Sequence, residues 1–169
     1  KGEVYTQTPN YITTVTREPI GVIAIIAPWN VPMALASMQV ASAIAFGNSC
    51  VLKPSEFTPL GFMRLMELFN EAGVPPGVVN LVNGRGATTG QALVEHRLVD
   101  AVSFTGGTKT GSIIGATAGR GLKKIMMELG GKSANIIFET ADLERALDGA
   151  LLGIFSNNGQ QCLAGSRIL

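Results

Sequence analysis

The run Gly21 to Ala27 (GVIAIIA) places seven apolar or glycine residues in succession. A strand covered on both faces reads this way, because neither side of its pleat meets water. A repeating rhythm follows it. Pro32 to Phe46 reads as a helix, with Pro32 in the first turn and Gly47 beyond the end. Ser49 to Leu52 is a second short strand. Thr58 and Pro59 supply the cap and first turn of a helix ending before Gly73, and Phe62, Leu65, Met66, Leu68 and Phe69 recur in it at helical spacing. Val78 to Val82 is a third strand and Ala87 to Glu95 a weaker helix. Ala101 to Phe104 is a fourth strand, Thr108 to Ala118 a glycine-loosened helix, and Lys124 to Glu128 a fifth strand. Ahead of this series, residues 1–19 are polar and β-branched and are broken by Pro9 and Asn10, which suggests a hairpin or arm. Past Gly131, Ala134 to Phe138 forms a further strand. A helix follows, with Asp142 and Glu144 at its positive end, and runs to about Ser156. Asn157 to Gln161 is a polar turn ahead of Cys162.

Strands alternating with helices imply an α/β fold, a doubly wound parallel sheet wrapped on both faces. Ligands gather at the carboxyl ends of the strands in such sheets. The unusual residues of this chain fall there: Pro28, Trp29 and Asn30 after the first strand, Lys53 to Glu56 after the second, Asn83 to Gly86 after the third, Thr105 to Gly111 after the fourth and Glu128 to Lys132 after the fifth.

Several function classes are disfavoured. The 13 Lys and Arg against 12 Asp and Glu leave no cationic excess for nucleic acid. Only 15% of residues are charged, so the chain has ample apolar surface to bury and disorder is not expected. The apolar stretch from Val31 to Phe46 is too short for a membrane span and is interrupted by Ser37, Gln39 and Ser42. Cys50 and Cys162 form no disulfide framework and no signal peptide is visible, which points to a reducing, cytoplasmic compartment. No cluster has metal-ligand spacing, and His96, the one histidine, sits where a surface residue would, so a Cys–His or Ser–His–Asp arrangement lacks support. The chain begins at Lys1 and stops at Leu169 inside an apolar run, and so reads as part of a longer protein. The six methionines read as core filler and Trp29 as a packing residue at a pocket edge.

Each candidate site residue has a plainer reading beside the functional one. The loop Gly106 to Gly111 matches neither the G-x-G-x-x-G fingerprint nor a P-loop. Its exposed N–H groups at a helix start suit an anion, and it would equally serve as a tight strand-to-helix turn. Cys162 alone would be an inert buried thiol, but Asn157, Asn158, Gly159, Gln160 and Gln161 are a poor wall for one and present the sulfur to a pocket instead. Glu128 ends an apolar strand beside Leu129, Gly130 and Gly131. Partial burial there would raise its pKa toward that of a general base, and a capping or ion-pairing acid is the alternative. The Asn30 amide could donate to an oxyanion or cap the following helix. Lys53 and Glu56 flank Pro54-Ser55 where a ribose sits in doubly wound folds, and could instead be a solvated ion pair.

Taken together, Pro28-Trp29-Asn30, Lys53-Pro54-Ser55-Glu56, Phe104-Thr105-Gly106 with Gly111, Glu128-Leu129-Gly130-Gly131-Lys132-Ser133 and Gly159-Gln160-Gln161-Cys162 occur in one order, with the thiol 34 positions after the carboxylate. With these motifs the chain resembles the NAD(P)-dependent aldehyde dehydrogenases, over the middle third of a typical member. The resemblance implies a Rossmann-like cofactor domain over 20–130, part of an oligomerisation arm over 1–19 and the start of a catalytic domain over 131–169. It implies Cys162 as nucleophile, Glu128 as general base, and Asn30 as oxyanion donor together with the backbone N–H of Cys162. Lys53 and Glu56 would contact the adenosine ribose, with Ser55 also in the cofactor site, and Gly106, Gly107, Thr110 and Gly111 would form the pyrophosphate loop. Ile26, Ala27, Pro28, Trp29, Gly84, Phe104, Thr105, Leu129 and Gly130 would complete the cofactor site.

The implied reaction oxidises an aldehyde to a carboxylic acid with NAD. A thiolate forms a thiohemiacetal, loss of hydride leaves a thioester, and Glu128 activates the water that cleaves it. Glu56 beside the ribose would repel a 2′-phosphate, which favours NAD over NADP. The texture is most like members acting on semialdehydes from aromatic breakdown, and the whole protein is expected to be a homo-oligomer. Gly107 departs from the serine common in the family, and Gln161 and Leu163 would help shape a substrate tunnel. The residue that would bind the nicotinamide ribose, much of that tunnel and the strand completing the oligomer lie outside the chain. The alternative is a non-catalytic nucleotide-binding or oligomerisation module.

Overall fold

The structure is a computed structural model describing residues 2–169; Lys1, the first residue of the expected arm, lies outside the described residues. The β-branched N-terminal residues do form a hairpin. β1 (Glu3–Tyr5) pairs antiparallel with β2 (Thr13–Val15), and both strands are exposed throughout.

The strand–helix rhythm produces one sheet of β3 (Val22–Ile26), β4 (Ser49–Lys53), β5 (Val79–Leu81), β6 (Ala101–Gly106) and β7 (Lys124–Leu129). Its order is β5-β4-β3-β6-β7 and every pairing is parallel. The connections carry α1 (Pro32–Ala45), α2 (Leu60–Glu71), α3 (Gln91–Glu95) and α4 (Thr108–Arg120).

The apolar run that opens the series sits at the centre of the sheet and feeds both layers. Ile25 and Ala27 pack with Ala36, Val40 and Ala43 of α1, Phe62 of α2, and Cys50 and Leu52 of β4. Ala24 and Ile26 pack on the other face with Val94 of α3, Ile114 and Ala118 of α4, and Val102 and Phe104 of β6. Strand alternation makes this division, since neighbours point to opposite faces. Full burial of such a side chain stabilises by roughly 1.5–3 kcal/mol.

A second, smaller unit follows. β8 (Ala134–Asn135) and β9 (Arg167–Ile168) pair in parallel around α5 (Leu143–Phe155). Asp142 caps α5 as its acidic start suggests, its carboxylate accepting the N–H groups of Glu144 and Arg145 at 3.1 and 3.2 Å.

Four expectations are corrected. None of the six methionines is buried: Met33, Met38, Met63 and Met126 are exposed and Met66 and Met127 half-buried, because the core positions go to Ala, Val, Ile, Leu and Phe. Thr58 does not cap α2. Pro59 is the N-cap, already with helical backbone angles, and the buried Thr58 Oγ1 finds no partner among the described residues. The strand expected to reach Phe138 is regular only over Ala134–Asn135, although the Ile137 N–H still donates to the Leu169 carbonyl at 2.8 Å. The fifth strand is not covered on both sides. β7 is the sheet's edge, and Ile125 and Met126 are exposed on it.

Phe62 is fully buried between α1, β3 and β4. Phe62→Ala is expected to lower stability by about 3–5 kcal/mol, the range for deleting a core aromatic, read as a fall in the urea midpoint with unchanged slope.

Candidate active site

The chain runs from β3 outward to β4 and β5, then crosses back to lay β6 on the other side of β3. The loops after β3 and β6 therefore leave in opposite directions and open a crevice between them. A cleft of about 490 Å³ lies there, lined by Pro28, Trp29 and Asn30 after β3, Thr105 to Thr108 at the end of β6, Glu128 to Lys132 at the end of β7, and Gln161 and Cys162. Trp29 is 48% exposed, at the rim, as its reading as a pocket-edge residue expects.

Asn30, Glu128 and Cys162 thus share one cleft. Asn30 is not the cap of α1. That position belongs to Val31, with no capping side chain, and the Asn30 amide instead donates to the Gln160 carbonyl at 2.8 Å. An amide nitrogen carries two hydrogens, so one donor remains for the cleft. Glu128 pairs in register with Thr105, which points both side chains to the α1 face of the sheet. The partial burial expected of Glu128 is not found: it is exposed, because β7 is an edge strand. Cys162 is exposed, beyond a tight turn over Ser156–Gly159 that the polar residues form, with Asn157 and Asn158 at left-handed backbone angles. The backbone after Glu128 approaches it closely: a Cβ on Gly131 would lie 3.8 Å from the Cys162 carbonyl oxygen.

The expected phosphate loop is built by close approach. A Cβ on Gly106 would lie 2.5 Å from the Phe104 ring, and one on Gly111 2.5 Å from Leu129 Cδ2. Glycine lets α4 start hard against β6 and β7. The α4 N-terminus has no capping side chain and no acidic residue in its first turn, which includes the exposed Thr110. Gly107 meets nothing within 4 Å of its notional Cβ. Free N–H groups at the positive end of a helix fit a pyrophosphate.

Lys53 and Glu56 lie across the crevice at the end of β4. Ile26 and Ala27 link this point to the central strand, with Ile26 opposite both Lys53 and Phe104 and the Ala27 N–H donating to the Lys53 carbonyl at 3.0 Å. The solvated-pair reading fails for Lys53, which is 2% exposed. Its Nζ donates to the Pro54 carbonyl at 2.8 Å and stands 3.8 Å from Glu56. Burial lowers the Lys53 pKa against the pull of Glu56. The Glu56 carboxyl is held below its ordinary range, first by its own N–H, then by Lys53, the Gly86 N–H and Arg85. Gly84 begins that neighbouring loop. Ser55 is buried and accepts the Phe57 N–H at 3.3 Å, turning the chain between Lys53 and Glu56. This buried ammonium beside an ionised carboxylate suits the hydroxyls of a ribose.

One polar element escaped the sequence reading. Gln39, half-buried on α1, donates to Thr105 Oγ1 and accepts from Ser103 Oγ, each at 2.9 Å. Ser103 and Thr105 alternate with apolar residues in β6, which was the available signal. His96 is exposed, as expected, and no group of three metal-ligating side chains occurs among the described residues. No described helix is long and apolar enough to cross a membrane.

The profile described as the aldehyde dehydrogenase family matches residues 1–169. The chain belongs to the aldehyde dehydrogenase family. It is 54% identical to 5-carboxymethyl-2-hydroxymuconate semialdehyde dehydrogenase of Escherichia coli, over 99% of this chain and 35% of that protein. It is 52% identical to betaine aldehyde dehydrogenase of Bacillus subtilis, over 95% of this chain and 33% of that protein. An aldehyde dehydrogenase of Bacillus cereus, solved as an NAD+ complex, superposes with a TM-score of 0.95 at 46% identity, covering 99% of this chain and 34% of that one. The chain spans about a third of the length of the aldehyde dehydrogenases it matches.

The two thiols of this aldehyde dehydrogenase segment differ in setting. Cys50 is fully buried and burial pushes its pKa up to about 11, whereas Cys162 is exposed. A disulfide reagent at neutral pH is expected to titrate Cys162 rapidly and Cys50 only after denaturant is added. Peptide mapping of the first-labelled residue checks the assignment.

Proposed function

We propose that the protein carrying this chain oxidises an aldehyde to a carboxylic acid with NAD, with Cys162 as nucleophile, Asn30 as oxyanion donor and Glu128 as general base. The observation that carries this reading is the single cleft that Asn30, Glu128 and Cys162 line at the switch point of the sheet. The domain reading proposed with it makes 20–130 the cofactor domain, 131–169 the start of the catalytic domain and 1–19 part of an arm for homo-oligomerisation in a cytoplasmic enzyme.

The chemistry follows from the groups present. The Cys162 thiolate attacks the carbonyl carbon and its oxygen takes up negative charge. The free N–H of Asn30 and the backbone N–H of Cys162 hold that charge as it develops, where a preorganised donor is most effective. The resulting sp³ carbon can lose hydride, and the thioester that remains is an acyl group activated toward water. Glu128 takes a proton from that water at its carboxylate and frees the acid from sulfur. NAD, when bound, supplies the hydride acceptor. Its pyrophosphate would be held by the α4 N-terminus with Gly106 and Gly107, and its adenosine ribose by Lys53 and Glu56. Pro28, Trp29, Leu129 and Gly130 would border it within the cleft.

Glu56, at 42% side-chain exposure, would set its carboxylate against a 2′-phosphate on that ribose, which supports a preference for NAD over NADP. A semialdehyde of aromatic breakdown is the proposed substrate class, supported by the 54% identity with the Escherichia coli semialdehyde dehydrogenase.

In the whole protein, NADH production from such a semialdehyde is expected to disappear in Cys162→Ala while NAD binding persists. Glu128→Gln is expected to lower kcat by about 10²–10⁴-fold, the usual contribution of a general base. It should leave a rapid burst of thioester formation visible on mixing, and a protein with no turnover that still binds NAD would establish the non-catalytic module instead. Glu56→Gln is expected to narrow the preference for NAD over NADP by roughly tenfold, equivalent to about 1.4 kcal/mol, measured as the ratio of kcat/KM values.

A further inference from the structure

We infer that Asn157 is a positioning residue that locks the oxyanion donor and the nucleophile loop into one unit. The inference rests on the dehydrogenase reading above and goes beyond it.

After α5 the chain must reverse to bring Cys162 back to the cleft. It does so through three successive residues in the left-handed region: Asn157 at φ 52°, Asn158 at φ 56° and Gly159 at φ 71°. Asparagine tolerates that conformation better than other residues with a Cβ. The turn alone explains why the residue at 157 is small and polar. It does not explain where the side chain goes.

The Asn157 amide leaves its own turn and donates to the Asn30 carbonyl at 2.9 Å, 127 positions away in sequence. It also lies 3.4 Å from the Gln160 carbonyl, which accepts the Asn30 amide at 2.8 Å. Two asparagines therefore clasp each other across the crevice. Asn157 holds Asn30 by its backbone, Asn30 holds the nucleophile loop by its side chain, and both amides converge on a carbonyl two residues before Cys162. The clasp fixes one Asn30 hydrogen on Gln160 and so sets the direction of the other. It also ties that remaining donor to the stretch of chain that carries the sulfur, two residues beyond the shared carbonyl.

A misplacement of about 1 Å in such a constellation can cost on the order of 10²-fold in rate. The test uses the whole protein with a semialdehyde and NAD. Asn157→Gly keeps the left-handed backbone and deletes the amide. Asn157→Asp keeps the shape and sets a carboxylate against two carbonyl oxygens. Both are expected to lower kcat by on the order of 10²-fold and to leave the KM for NAD within about twofold, because Lys53 and Glu56 are untouched. On an Asn30→Ala background, adding Asn157→Gly is expected to lower kcat by no more than about twofold further, since the clasp has then lost the donor it positions. Unchanged kcat in either variant overturns the assignment. So does a full multiplicative loss on the Asn30→Ala background, or loss of NAD binding in both variants, which would mark a purely structural role. Turnover by the unaltered protein, absent in Cys162→Ala, is the control. Its failure overturns the dehydrogenase reading itself, and the positioning role with it.

Discussion

The pairing of β3 with β6 is the constraint on which the site depends. Four register pairs, Ile23 with Ala101 through Ile26 with Phe104, join the two halves of the sheet. Side chains alternate with a period of two, so a slip of one residue would exchange the faces of β6. Ser103 and Thr105 would then enter the apolar layer under α3 and α4, while Val102 and Phe104 would face Gln39. Neither change is tolerable in a buried layer, where unpaired polar groups cost about 1–3 kcal/mol each. The Gln39 bonds to Ser103 and Thr105 therefore act as a lock on register. Through the pairing of Thr105 with Glu128, the same lock decides that the carboxylate faces the α1 side, where Asn30 lies.

Much of this architecture could be read from residues in order. The central strand announced itself because it is buried on both faces and so has no polar positions. The helices around it were bounded by Pro and Gly, whose backbone preferences act locally. The site motifs were legible because ligand-facing loops at strand ends carry residue types that a core or a plain turn would not require. The extent of β8 depended on a partner more than thirty positions away, which local pattern does not report. Glu128 and the methionines were misjudged for one shared reason. Burial is a property of neighbours, and whether a strand is central or at the border is set by sheet order.

The polar links were the least visible part. Gln39, Asn157 and Asn30 are ordinary amides in sequence, and each acquires its meaning from a carbonyl or hydroxyl between 64 and 130 positions distant. The Lys53–Glu56 pair shows the complementary case. The two residues are close in sequence, so their association was foreseeable. The complete burial of the Lys53 stem depends on a residue far along the chain, Gly90, where an added Cβ would lie only 3.5 Å from Lys53 Cδ.

The border strand β7 has a consequence for handling the molecule. Its outer rim of backbone donors and acceptors has no strand partner among the described residues, and Ile125 and Met126 stand beside it in water. Leu143, Leu147 and Leu151 follow one another along one side of α5 and form a second uncovered apolar ridge. Unpaired rims and ridges of this kind recruit further copies of themselves.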